Sequence, residues 1–116
     1  MRTIINTTPH DIRFILADGT ETTVKPSGVL MNAKVTEQVI STEDGITLVR
    51  PTFEQETASL TALEELEAKN PGALIIGSLV AAQAYPGRVL GMTPAKGYER
   101  VPVDQKKMDG QKFSTY

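Results

Sequence analysis

Between residues 29 and 69 the spacing of the apolar side chains changes from two to three. Val29, Met31, Ala33 and Val35 recur with a period of two, the period that lines one face of a β-strand. Leu60, Leu63 and Leu66 then fall three apart, with Glu64, Glu65 and Glu67 between them, which describes a helix with one apolar stripe. A chain of 116 residues holding both periods is expected to form one α+β domain.

The remaining segments extend that pattern. Arg2 to Asn6 is a short β-branched strand, and Pro9 holds Thr8 extended. Ile12–Ala17 and Glu21–Lys25 make a hairpin across Asp18-Gly19. Pro26-Ser27-Gly28 is a turn, followed by a long half-buried strand over Val29–Ile40, bent near Thr36. Glu43-Asp44-Gly45 is a second turn, and the strand Ile46–Arg50 closes at Pro51. The helix spans Thr57–Lys69, capped by Thr57 or by Thr61 with Glu64, and Asn70-Pro71-Gly72 stops it. Ala73–Ile76 is a buried strand, and Ser78 opens a short helix to Ala84 that ends at Pro86-Gly87. Arg88–Met92 and Gly97–Val103 are strand candidates. The expected architecture is a mostly antiparallel sheet with two helices, about 57–69 and 78–84. The domain spans 1–103, with a polar tail over 104–116 that frays or docks on a neighbouring subunit.

Composition removes several chemistries. With no Cys there is no disulfide, thiolate metal site or Cys nucleophile, and one His excludes a multi-His zinc site. No phosphate loop, nucleophile elbow or calcium loop occurs, so neither a metal nor a cofactor is expected. The first residues lack the apolar stretch of a signal peptide, and no run approaches the length of a membrane span, so the expectation is a soluble intracellular protein. The net charge of −2 is unevenly spread. Residues 36–67 balance at −7, and residues 88–116 at +3. That division fits a solvated acidic helix and basic tail, an anion-binding C-terminal face, or complementary patches between subunits. The dispersed basic residues make duplex nucleic acid a poor partner.

Several residues carry candidate binding chemistry. Arg88 and Arg100, near Tyr85 and Tyr98, suit an anion-and-aromatic site, because Arg meets phosphate bidentately and a Tyr ring stacks on a base. The alternative is surface Arg and half-buried Tyr. His10-Asp11 is the one adjacent pair with general-base potential; otherwise His10 braces the backbone after the Thr8-Pro9 bend. Lys34 lies on an exposed strand face or contacts phosphate at a subunit boundary. Phe113 and Tyr116 suit anchoring of the tail to a partner.

The opening Asn6-Thr7-Thr8-Pro9-His10 resembles the N-x-T-P-H start of a family of small phage and prophage proteins. Pro26-Ser27-Gly28 and the Ala73–Ala84 segment follow in the same order, so the resemblance covers roughly residues 3–85. The resemblance extends to the Thoeris anti-defence sponges, with which that family overlaps and which capture cyclic nucleotide or cyclic ADP-ribose-type signals without cleaving them. The resemblance implies a homo-oligomeric, non-catalytic protein of the infected bacterial cytoplasm, with ligand pockets at or near subunit contacts that use Arg for phosphates and an aromatic ring for the base; the candidate ligand residues here are Arg100, Arg88, Lys34, Tyr85, Tyr98 and His10, although from Arg88 onward the chain departs from the family pattern apart from Arg100. On the strand after the Pro-Ser-Gly turn it implies an Arg, where this chain has Lys34. The other expectation is a phage structural, assembly or accessory protein without a small-molecule ligand.

Overall fold

The structure is a computed structural model that describes residues 2–116. The chain runs β1 (Ile4–Asn6), β2 (Ile12–Ile15), β3 (Glu21–Val24), β4 (Ala33–Glu43), β5 (Ile46–Gln55), α1 (Thr57–Lys69), β6 (Leu74–Ile76), α2 (Leu79–Ala84), β7 (Gly91–Pro94) and β8 (Met108–Ser114), with one 3-10 turn at Val103–Gln105. The fold is α+β, with two helices and mainly antiparallel pairing. Among the described residues no helix is long and apolar enough to cross a membrane.

The centre is a parallel pair, β1 against β6, with Ile5 beside Ile75 and Asn6 beside Ile76. Ile5 and Ile75 join Leu63 of α1, Ala81 and Ala84 of α2, and Met31, Tyr85 and Val89 in one buried cluster. Leu60 and Leu66 pack against it half-buried, which is the stripe that the three-residue spacing describes. Asn70 closes α1, its backbone N–H and its side-chain amide both reaching the Leu66 carbonyl at 3.0 and 3.1 Å. Ser78 caps α2 by accepting from the Ala81 N–H at 3.1 Å. The N-terminus of α1 departs from expectation. Glu56 is its N-cap and makes no side-chain capping bond. Thr61 instead bonds back to the Thr57 carbonyl at 3.0 Å, so neither threonine caps the helix.

A second, four-stranded sheet has the order β3-β2-β8-β7. The β2–β3 hairpin turns at Asp18-Gly19 as expected: Asp18 Oδ1 accepts from the Thr20 N–H and hydroxyl at 3.0 and 2.6 Å, and Gly19 has φ +86°. The C-terminal segment overturns the tail expectation. Residues 108–114 form a central strand, parallel to β2 and antiparallel to β7. Phe113 packs on Phe14 of the same chain, with ring centroids 5.9 Å apart, and no neighbouring subunit is needed to hold it. Gly110 lets β8 approach β2, since a Cβ there would lie 2.9 Å from the Ile15 carbonyl oxygen. The 97–103 segment is turns rather than a strand, and the strand placed at 88–92 starts later, at Gly91.

The β4–β5 hairpin is longer than expected and differently placed. It turns on Asp44 and Gly45, both at positive φ (53° and 76°), which is the two-residue turn that matches strand twist. β4 begins at Ala33 and reaches Glu43, with no bend at Thr36 but a register shift between Val39 and Ser41. β5 continues through Pro51 to Gln55; Pro51 breaks nothing because both strands of a two-stranded hairpin are edges. Rather than half-buried, the hairpin is exposed from Glu37 to Thr52 and projects as an arm. The chain extends 54 × 36 × 20 Å with a radius of gyration of 16.4 Å. A compact chain of this length would have about 13 Å.

Asn6 ties these parts together. It is 1% exposed, and its side-chain amide donates to the carbonyls of His10 at 2.6 Å and Val24 at 3.1 Å. Its Oδ1 accepts from the Thr8 N–H at 2.9 Å and the Thr8 hydroxyl at 2.7 Å. Asn6→Asp keeps the acceptor but turns an oxygen toward two carbonyls. Loss of both donors predicts a stability decrease of about 3 kcal/mol, read by urea unfolding at neutral pH.

Candidate functional site

The N-T-T-P-H segment leads into a cleft that its last member, His10, lines. Thr7 fixes its start: the Thr7 N–H and hydroxyl both donate to the Ile76 carbonyl, at 3.0 and 2.6 Å. Asn6 then holds the turn closed through Thr8 and the His10 carbonyl. With the backbone so pinned, the His10 side chain stands exposed at the start of β2. Arg13, one register pair from the end of the β2–β3 ladder, lies beside Thr23. The 3-10 turn over 103–105 and the entry to β8 close the other side.

These elements enclose about 490 Å³. That volume falls within the range of small-molecule sites. His10, Arg13 and Lys106 supply cationic or donor groups, Asp11 and Asp104 carboxylates, and Ile12, Val103 and Met108 an apolar lining. Val103 is 83% exposed, an apolar side chain left in water at the rim. Arg13 Nη2 donates to the Asp104 carbonyl at 2.5 Å, which ties β2 to the 3-10 turn. Among the described residues its Nε and Nη1 have no protein partner. The mixed rim suits a ligand that carries both anionic oxygens and hydrogen-bond donors. Among the described residues no three His, Asp or Glu side chains converge as a metal site requires.

The six residues singled out from the sequence do not meet in one chain. His10 lines this cleft, and Arg100 a separate shallow depression with Gly97, Glu99 and Val101. Lys34 is exposed at the root of the arm, opposite Glu54. Tyr98 is half-buried with the Lys107 ammonium 5.2 Å from its ring centroid, and Lys107 is paired with Glu21, which raises its pKa. Arg88 is committed to Glu67 through a two-point pair, its Nε donating to Oε2 at 3.1 Å and its Nη2 to Oε1. That hydrogen bonding holds the Glu67 carboxyl below its ordinary range and raises the Arg88 pKa.

Tyr85 corrects the stacking expectation most directly. It is 0% exposed, and its hydroxyl donates to the Asn32 carbonyl at 2.7 Å and accepts from the Glu56 N–H at 3.0 Å. The ring thus locks the entry of β4 to the start of α1, out of reach of a ligand. Arg13 and Lys106, by contrast, line the cleft. Nothing in their local sequence marks them, because the parallel pairing of β2 with β8 is what brings residues 13 and 106 to one cleft. No protein-family model matches the chain, no curated protein matches its sequence, and no solved structure matches it.

Tyr85→Phe leaves the part-buried Asn32 carbonyl and Glu56 N–H without this partner, and is expected to cost about 1 kcal/mol in denaturant unfolding. The Glu67 pair predicts a pH effect. Its folded pKa is lowered, so its contribution is present above the ordinary carboxylate range and lost as pH falls through the folded value. Both side chains are partly exposed, which keeps that contribution under about 1 kcal/mol. Arg88→Ala should return Glu67 to an ordinary titration by NMR, with the stability difference from wild type vanishing in acid.

Proposed function

We propose that this chain is a non-catalytic binding protein that holds a small phosphorylated molecule of the nucleotide class and leaves its bonds intact. The cleft lined by His10, Arg13 and Lys106 carries the reading. Arg13, Lys106 and His10 offer donors to phosphate oxygens, and Asp11 and Asp104 offer acceptors to ribose hydroxyls or a base amino group. Ile12, Val103 and Met108 supply the apolar wall against which a base packs. The likeness of the N-terminal motif to phage proteins narrows the ligand to a cyclic nucleotide or cyclic ADP-ribose-type immune signal. In that role the protein acts as a sponge in the cytoplasm of an infected bacterium and blocks anti-phage defence. The arm favours a second reading, a phage structural, assembly or accessory protein without such a ligand, because its exposed apolar face suits protein contact.

A thermal-shift panel of cyclic dinucleotides, cyclic trinucleotides and ADP-ribose cyclisation products separates the two. A ligand at a hundredfold excess over its Kd should stabilise the fold by about 2.7 kcal/mol. Chromatography after denaturation should return that ligand unchanged. Arg13→Ala or Lys106→Ala should weaken binding about tenfold to a hundredfold, the worth of one charge-assisted hydrogen bond. A flat response across the panel, or release of a cleaved product, overturns the reading.

A further inference from the structure

Taking the cleft as the ligand site of the proposed function, we infer that it takes up its anionic ligand together with a proton, and that the His10 ring holds that proton. His10 lines the cleft and is exposed there. Its hydrogen bonds among the described residues all run through its backbone. The buried Asn6 amide holds the His10 carbonyl at 2.6 Å, so the chain is placed here without help from the ring. The imidazole is therefore free to gain or lose a proton without disturbing the fold.

The charges around the ring decide what that proton does. Arg13 of β2 and Lys106 at the entry to β8 bring two cations to the cleft, and Asp11 and Asp104 bring two carboxylates. With a neutral imidazole these cancel. With an imidazolium, three cations face two carboxylates. Further out, Lys25 follows Val24, the register partner of Ile12, and adds a fixed positive charge on the β3 side. On the β8 side Lys107 is neutralised by Glu21, and the Asp109 carboxylate accepts the Gln111 N–H. Imidazole is the side chain whose charge ordinarily changes between about pH 5 and 8, and the chain holds one His. The sign of the cleft thus turns on a single ring across that range. The protonated ring also offers two N–H donors where the neutral ring offers one, and a charged donor binds an anionic oxygen more strongly. Anion and proton then favour each other, and linkage requires each to strengthen the other by the same factor. The cleft is open to water, so that factor lies above an exposed ion pair and below a buried one, at about threefold to tenfold.

Sulfate is the probe, because it has the shape of a phosphate group and its charge stays fixed over this range. It is titrated into the full chain at constant ionic strength, with chloride as the balancing anion, and followed by two-dimensional NMR. Sulfate should shift the amides of His10, Arg13 and Lys106, and should bind about threefold to tenfold more tightly near pH 5.5 than near pH 8. The His10 ring protons, the one such set in the chain, should titrate at higher pH with sulfate than without it. His10→Gln should bind at both pH values as the wild type does in the alkaline buffer. His10→Lys should bind at both as the wild type does in the acidic one. Neither change touches the carbonyl that Asn6 holds, so both spectra should match the wild type away from the cleft. If a variant unfolds, the wild-type ring titration decides. Sulfate that shifts no cleft amide, equal affinity at the two pH values, or a His10 titration that sulfate does not move overturns the inference. A flat nucleotide panel beside pH-dependent sulfate binding removes the nucleotide reading alone. A nucleotide that binds equally at both pH values, with the ring titration unmoved, removes the proton coupling alone.

Discussion

One buried amide organises this fold. Asn6 donates its side-chain amide to the carbonyls of His10 and Val24, and its Oδ1 accepts from the N–H and the hydroxyl of Thr8. The bond to Val24 fixes the end of β3, and the bond to His10 fixes the entry to β2. The backbone of Asn6 meanwhile sits beside Ile76 in the parallel pair at the core. No other side chain offers two donors and an acceptor in so small a volume. Thr7 adds to the same knot, and Gly77 permits it: a Cβ at residue 77 would lie 2.9 Å from both Thr7 Oγ1 and Val89 Cγ1. The N-T-T-P-H sequence is thus first a structural device. Asn6, Thr7 and Thr8 spend their side chains in the knot, and Pro9 and His10 stand exposed outside it.

Local signals in the sequence were legible where the physics is local. Asp18-Gly19 and Asp44-Gly45 turn as their φ preferences require. The leucine spacing over Thr57–Lys69 and the cap at Ser78 mark both helices. Long-range pairing was not legible. Met108–Ser114 reads as a polar tail because only Met108 and Phe113 are large and apolar, yet its neighbours β2 and β7 supply the hydrogen bonds and Phe14 the packing. The period of two over residues 29–35 is real, but its first members are core residues of a loop and its last face water on the arm. Periodicity reports a two-sided environment without saying which molecule provides the covered side.

The candidate site was legible only at His10. Arg88 and Tyr85 look like ligand residues in a list of Arg and Tyr near one another. Folding instead gives Arg88 to Glu67 and buries Tyr85. An Arg becomes available for a ligand only when no carboxylate of its own chain reaches it, and that depends on contacts many residues apart. Glu67 and Arg88 are 21 residues apart, whereas Arg13 and Asp104 meet across 91.

These pairings also change the meaning of the charge distribution. The basic excess over residues 88–116 suggests a cationic field, but Arg88 is neutralised by Glu67 and Lys107 by Glu21. The acidic run is divided between the arm and α1. Around the cleft two cations face two carboxylates, so the net local charge is small when His10 is neutral. Long-range attraction then contributes little, and binding strength must come from contacts made within hydrogen-bond distance and partly shielded from water. Short-range recognition of that kind responds weakly to ionic strength and strongly to shape. Under the proposed function, it suits a receptor for one particular phosphorylated molecule better than one for polyanions as a class.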